Sequence, residues 1–372
     1  MSRKFHITSL DIFDTLMAKG KRIGSSGLLD IAKQKFILIS KDDERAKLAE
    51  YVSQLPFDHD DIVRLYQIVE HDNRREKLST FQVKKRLNHA QLQISLENLS
   101  SQLAMSGEKA TIITNPDNNK ILIDYEYVEI DFGKATMLQE QLRKDRVEFF
   151  PCSTNTTDVR FAANQKCKEL VEKIIKEIER IESARLEVDE IELSHISDGK
   201  RRNEFFFSLI NGIEGLRLDD VSGVKISRFE VTSDIGTDQE IEDVSQEGDE
   251  VVQTTSFVGF IKEVAIKGKA LLGQKEYLDF VEKGFFISNL TWKSLDNSVE
   301  PNLLVEFEAG FEDHQECTGF QYAVKGAYSY KKNESEFSST RKPLSEPNKL
   351  LYKSKIEVAA RKSKMEVSND KT

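Results

Sequence analysis

The chain has 372 residues, with 54 Lys and Arg against 64 Asp and Glu, and a formal net charge of −10. One hydrophobic core rarely grows past roughly 250–300 residues, so two or three cooperating parts are expected. No apolar run approaches the roughly 18 residues of a membrane span, no signal-peptide core follows the N-terminus, and three unpaired cysteines exclude both a disulfide scaffold and a cysteine-rich zinc module. With only 6 Pro and abundant Lys, Ile and Glu, the composition points to a cytoplasmic, bacterial protein.

The N-terminal third reads as helical. Leu28, Leu29, Ile31, Ala32, Phe36 and Ile37 fall at helical spacing after Gly24-Ser25-Ser26-Gly27. A second helix covers Asp43 to Leu55, and a third starts near Asp58 with Ile62, Leu65, Ile68 and Val69. A fourth spans His89 to Met105, with Leu92, Leu96, Leu99 and Leu103 on one stripe. The period then changes. The β-branched run 110–114, the turn cluster 115–119 and the run 121–125 predict a hairpin, and a helix is expected over Thr136–Arg143.

A long amphipathic helix is expected from Thr157 to Ile181, with Cys167, Val171, Ile174, Ile178 and Ile181 on its seam; it is a candidate homo-oligomer contact. Leu186–Leu193 reads as a strand, Asp198 as the cap of a helix over Arg201–Ile210, and Val224–Val231 as another strand. Residues 232–250 carry eight acids and no base and read as an exposed linker. Val251–Tyr330 alternates as β structure around one helix, Gln274–Lys283. Residues 331–372 read as a polar, basic tail with a short amphipathic stretch at Leu350–Ala360. Elements cluster rather than alternate, so the fold class is α+β. The expected organisation is a mainly helical 1–150, a mixed 151–231, the linker 232–250, a β-rich 251–330 and the tail.

Three constellations suggest chemistry. Asp11-Ile12-Phe13-Asp14-Thr15-Leu16 resembles the nucleophile loop of haloacid-dehalogenase-type phosphohydrolases. The resemblance implies Asp11 as the nucleophile at a strand end, Mg²⁺ beside it, Thr114 gripping phosphate, and Asp234 and Asp238 as metal-binding acids. The family's second aspartate stands two residues on; here that position is Phe13, and Asp14 follows it. His71-Asp72, with Asp58-His59-Asp60-Asp61, resembles HD-type phosphohydrolases. The alternative is that Asp58 or Asp60 caps a helix. Asp131 and Lys134, following Pro116-Asp117, fit a Mg²⁺-dependent nuclease centre, and Asp198-Gly199-Lys200 after Glu190 and Glu192 fits a turn better.

Two basic clusters point instead to an anionic partner. Arg74, Arg75, Lys77, Lys84, Lys85 and Arg86 surround Phe81, and Lys200, Arg201 and Arg202 precede Phe205-Phe206-Phe207. Cations contact phosphates and aromatic rings stack on unpaired bases; the alternative is a solvated helix face over buried phenylalanines. Walker, dinucleotide-binding and nucleophile-elbow loops are absent. A non-enzymatic binding or assembly protein for nucleic acid or an anionic protein accounts for most of these features. A mobile-element or antiviral defence system is its expected setting.

Overall fold

The computed structural model describes residues 7–70, 77–115, 120–152, 155–228, 253–257, 260–267, 271, 275–300, 302–331 and 336–369. The acidic segment 232–250, Arg74, Arg75, His71, Asp72, Asp117, Asp234 and Asp238 lie outside the described residues. The architecture is α+β, with a β-rich C-terminal region. Two compact units form from discontinuous stretches: residues 1–74, 93–113 and 122–146 make the first, and 75–92, 114–121 and 147–372 the second.

The first unit opens with α1 (Ser9–Ala18), α2 (Ser25–Gln34), α3 (Arg45–Ser53) and α4 (His59–Glu70). Their caps are local. Thr8 and Asp11 form a capping box at α1, and Asp58 and Asp61 form another at α4. Leu16, Leu28, Ala32, Leu48 and Val52 are fully buried in a core shared with Met137 and Leu138. The chain continues as β1 (Leu78–Val83), α5 (His89–Met105), β2 (Lys109–Asn115), β3 (Lys120–Ile130) and β4 (Glu140–Pro151). The leucine stripe of α5 is buried, and β2 and β3 pair as the expected hairpin.

The helix expected over Thr136–Arg143 is only a single 3-10 turn, Thr136–Leu138, before β4 begins. Cross-strand charge explains the correction. Arg143–Glu129 at 2.7 Å, Lys144–Glu126 at 2.6 Å and Arg146–Asp124 at 2.7 Å join β4 to β3, so a run with helix-like composition becomes a strand.

α2 ends in a Schellman turn. Phe36 N–H donates to Lys33 O at 2.9 Å and Ile37 N–H to Ala32 O at 3.0 Å. Glycine is usual at this left-handed position, yet Phe36 holds it at φ 60° with its ring 97% exposed. Phe36→Gly is expected to raise stability by about 0.5–1 kcal/mol, because relief of left-handed strain exceeds the added freedom of the unfolded chain. Urea unfolding followed by circular dichroism checks this; an unchanged or lower midpoint would mean the ring makes a contact that outweighs its strain.

The second unit adds β5 (Thr157–Ala162), α6 (Gln165–Glu182), β6 (Val188–Glu190), α7 (Gly199–Asn211), β7 (Leu216–Arg228), β8 (Gln253–Phe257) and β9 (Phe260–Lys267). It closes with α8 (Lys275–Glu282), β10 (Phe285–Asp296), β11 (Leu303–Asp313), β12 (Thr318–Lys331), β13 (Glu336–Phe337) and α9 (Glu346–Asn369). Within it an antiparallel sheet runs β5-β1-β12-β11-β10-β7-β9-β8, with β6 also on β1 and β13 on β12. α7 and α9 pack together and onto this sheet. Phe205, Phe206, Trp292, Phe307, Tyr322, Tyr352 and Ile356 share one core. Of the three consecutive phenylalanines, Phe207 is the one left partly buried, since a helix cannot turn all three inward.

Two further expectations are corrected. Residues 157–162 are strand, and the helix starts only after Asn164, whose side chain accepts from Cys167 N–H at 2.8 Å. Of the seam residues, Cys167, Val171, Ile174 and Ile178 are buried within the chain, and Ile181 is exposed. The polar tail contains a 24-residue helix with Tyr352, Ile356, Ala360 and Val367 in the core. Its approach is fixed where Lys342 bridges to Ala327. A side chain at Gly326 (φ 138°) would place Cβ 2.5 Å from Lys342 O.

Candidate functional site: a charged seam along α9

Lys353, Glu357, Arg361 and Lys364 recur at four, four and three, so they share one side of α9. Each meets polar groups that strands bring to it. At the centre, Arg160 on β5 is 2% exposed and Glu357 is 5% exposed. The Arg160 guanidinium donates through Nε to Glu357 Oε1 at 2.6 Å and through Nη2 to Oε2 at 2.8 Å. Tyr322 of β12 donates its hydroxyl to the same Oε1. Burial, then the Glu357 charge, pushes the Tyr322 hydroxyl far up, so it stays a donor.

The pattern extends both ways. Arg160 Nη1 lies 3.0 Å from Glu148 Oε2, and Lys120 lies 3.0 Å from the same oxygen. The Phe150 ring carries both cations, at 4.6 Å from Lys120 and 4.8 Å from Arg160. In the other direction Arg361 donates to Asp158 Oδ2 at 2.8 Å and to Thr80 Oγ1 at 3.1 Å, while Gln82 donates to Asp158 Oδ1 at 2.8 Å. Lys364 and Lys84 then share Asp189, at 2.6 and 3.0 Å. Burial opposes ionisation of Asp189, but the two ammonium groups hold its carboxyl below the usual range.

Lys353 stands apart. It is half-buried, and among the described residues its ammonium makes no hydrogen bond or ion pair. Burial, with Lys349 and Arg160 nearby, pulls it down to about 8 despite Glu148.

The basic residues read from sequence are distributed differently. Lys77 pairs with Glu308 at 2.7 Å, Lys84 with Asp189, and Lys85 with Glu182. Arg202 is a correction: it is 1% exposed, donates to Ile196 O at 2.8 Å and lies 4.6 Å over Phe286, so it holds the core instead of a phosphate. Arg201 is half-buried and donates to Val367 O at the end of α9. Arg86 and Lys200 remain exposed.

The catalytic candidates do not assemble. Asp11 is the third residue of α1, not the end of a strand, and its Oδ2 accepts from Thr8 N–H at 2.9 Å and Thr8 Oγ1 at 2.7 Å. Asp14 lies one turn further, exposed. Asp131 Oδ1 accepts from Gly133 N–H at 3.0 Å within a turn, and its Oδ2 pairs with Lys134 at 3.1 Å. Asp198 caps α7 by accepting from Lys200 N–H at 2.9 Å. Among the described residues no group of three or more His, Cys, Asp or Glu could hold a metal ion; Asp117, Asp234 and Asp238 lie outside them. No described helix is long and apolar enough to cross a membrane.

Local patterning missed the seam because its partners lie some two hundred residues apart in sequence. One signal was present: Arg160 interrupts the apolar strand Val159-Arg160-Phe161, and a lone charge there demands a buried partner. Compared with known proteins, the chain matches no family model and no curated protein.

Proposed function

We propose that the protein is a non-enzymatic cytoplasmic binding protein that holds nucleic acid against the basic side of α9. The carrying observation is the charge imbalance of the seam. Lys84, Lys120, Arg160, Lys353, Arg361 and Lys364 face Glu148, Asp158, Asp189 and Glu357, and among the described residues the Lys353 ammonium makes no ion pair, with Glu148 and Glu346 as its nearby acids. A phosphate beside Lys353 would offset its repulsion from Lys349 and Arg160. Exposed Arg86 and Lys200 add to the attraction. The same reading sets the protein in an antiviral or mobile-element system, with foreign nucleic acid as the ligand.

Anisotropy with labelled single-stranded DNA, single-stranded RNA and duplex DNA at low salt tests it. Lys353→Glu is expected to weaken binding about tenfold, and affinity is expected to fall steeply with salt. The ammonium is present below pH about 8 and lost above it, so binding is expected to weaken as pH rises through that value. Lys353→Arg should retain binding at pH 9. Absence of nucleic-acid binding, or an unchanged Lys353→Glu variant, would overturn the reading. Binding to polyglutamate alone would transfer the surface to an acidic protein partner.

A further inference from the structure

Lys353 is placed to react as well as to bind. Lys349, Lys353 and Glu357 follow one another at four-residue spacing, so their side chains are neighbours along one side of α9. Arg160 closes the same side from β5, its Nη2 donating to Ser354 Oγ at 3.2 Å and to Glu357 Oε2 at 2.8 Å. Lys353 therefore lies between two cations, Lys349 and Arg160. The acids around it already have partners. Glu148 is held by Arg160 and Lys120, each at 3.0 Å, and Glu357 by Arg160 and Tyr322. Glu346 lies 3.6 Å from Lys349. An ammonium at this point meets repulsion that a neutral amine escapes, and an anion there would meet attraction.

These surroundings favour an adduct that turns the nitrogen substituent negative. The reagent has to be small enough to reach a half-buried amine, uncharged on approach and anionic once attached. Carbon dioxide meets all three conditions, whereas an acyl donor would leave a neutral amide that answers neither cation. We infer that Lys353 is a carbon dioxide site, at which its neutral amine forms a carbamate held between Arg160 and Lys349. The nitrogen lone pair attacks the carbon of carbon dioxide; the N–C bond forms as one C–O π pair moves onto oxygen, and an amine proton passes to solvent water. The side chain goes from cation to anion without leaving its place on the helix. Burial and the two cations supply the neutral amine at about pH 8, where an ordinary lysine is only about 0.4% neutral.

The test uses the full chain in ¹³C-labelled bicarbonate at about pH 8, read by ¹³C NMR, then by trapping with a trialkyloxonium ion and peptide mass mapping. A carbamate resonance is expected, with the trapped group on Lys353 at least about tenfold above any other lysine. The N-terminal amine ionises in the same range, and the mapping separates it. Lys353→Arg keeps the positive charge and does not deprotonate, so it should lose the Lys353 part of the signal with an unchanged melting curve. Label spread evenly over the lysines, no label on Lys353, or an undiminished signal in Lys353→Arg would overturn the inference. One consequence rests on the nucleic-acid reading: at matched ionic strength, bicarbonate should weaken binding by the wild-type chain about tenfold, as Lys353→Glu does, and leave Lys353→Arg unchanged. A carbamate on Lys353 in a chain that binds no nucleic acid would support this inference and overturn only that reading.

Discussion

Glu357→Ala is expected to destabilise the second unit by about 3 kcal/mol, at the lower end of the range for breaking a buried pair. Removal of the carboxylate strips two hydrogen bonds from a guanidinium that is 2% exposed and one from a tyrosine that is fully buried. Water cannot replace them without opening the contact between α9 and the sheet. The loss stays near the low end because Arg160 keeps Glu148 at 3.0 Å. Glu357→Gln retains acceptor capacity and should cost roughly half as much. Joint replacement, Arg160→Met with Glu357→Leu, removes both charges and should recover most of the loss; Glu148 then still has Lys120. The single tryptophan, Trp292, lies in the core of this unit, so its fluorescence during urea unfolding reads the relevant transition. A Glu357→Ala loss below about 1 kcal/mol would show that α9 is held by its apolar side alone.

Such long-range pairing decides which parts of the fold were legible in sequence. α2 to α5 and α7 carry their own signals, above all a helical stripe of apolar residues within the element itself, whereas α1 reads as a loop after a strand. The hairpin and the β-rich end were equally local, because alternation marks each strand by itself. The failures share a different cause. β4 is a charged run that becomes a strand only because β3 offers Glu129, Glu126 and Asp124 in register. α9 was foreshortened to Leu350–Ala360 because its inward sides mix apolar and ionic residues, which reads as a polar tail until Arg160, Asp158 and Asp189 are seen beside it. Lys84 and Lys85 likewise looked available for phosphates, yet their partners Asp189 and Glu182 come about a hundred residues later. Composition reports how many charges a chain has; topology decides which of them are already neutralised.

Trp292→Ala is expected to cost about 3–5 kcal/mol, the usual range for emptying an aromatic site in a packed core. Trp292 is fully buried on β10, stacks on Phe307 with centroids 5.5 Å apart, and shares the core with Tyr352 of α9. Among the described residues, however, its indole nitrogen has no hydrogen-bond partner, and neither does the hydroxyl of Ser294, two residues on and equally buried. A buried donor without a partner carries its full desolvation cost, about 1–3 kcal/mol. Trp292→Phe keeps the stacking and removes the donor, so its net loss should be about 1 kcal/mol or less. Ser294→Ala deletes a hydroxyl of almost the same volume and is expected to stabilise by about 1 kcal/mol. Asp296, next in the same row, is the contrast: its carboxylate accepts from Tyr352 OH at 2.7 Å and from Ser298 Oγ at 2.6 Å, so Asp296→Ala should destabilise. Because the first two variants lack the fluorophore, circular dichroism follows all four. A Ser294→Ala loss of 1 kcal/mol or more, on the order of one hydrogen bond, would mean that the hydroxyl is bonded through solvent and that this row of β10 is satisfied after all.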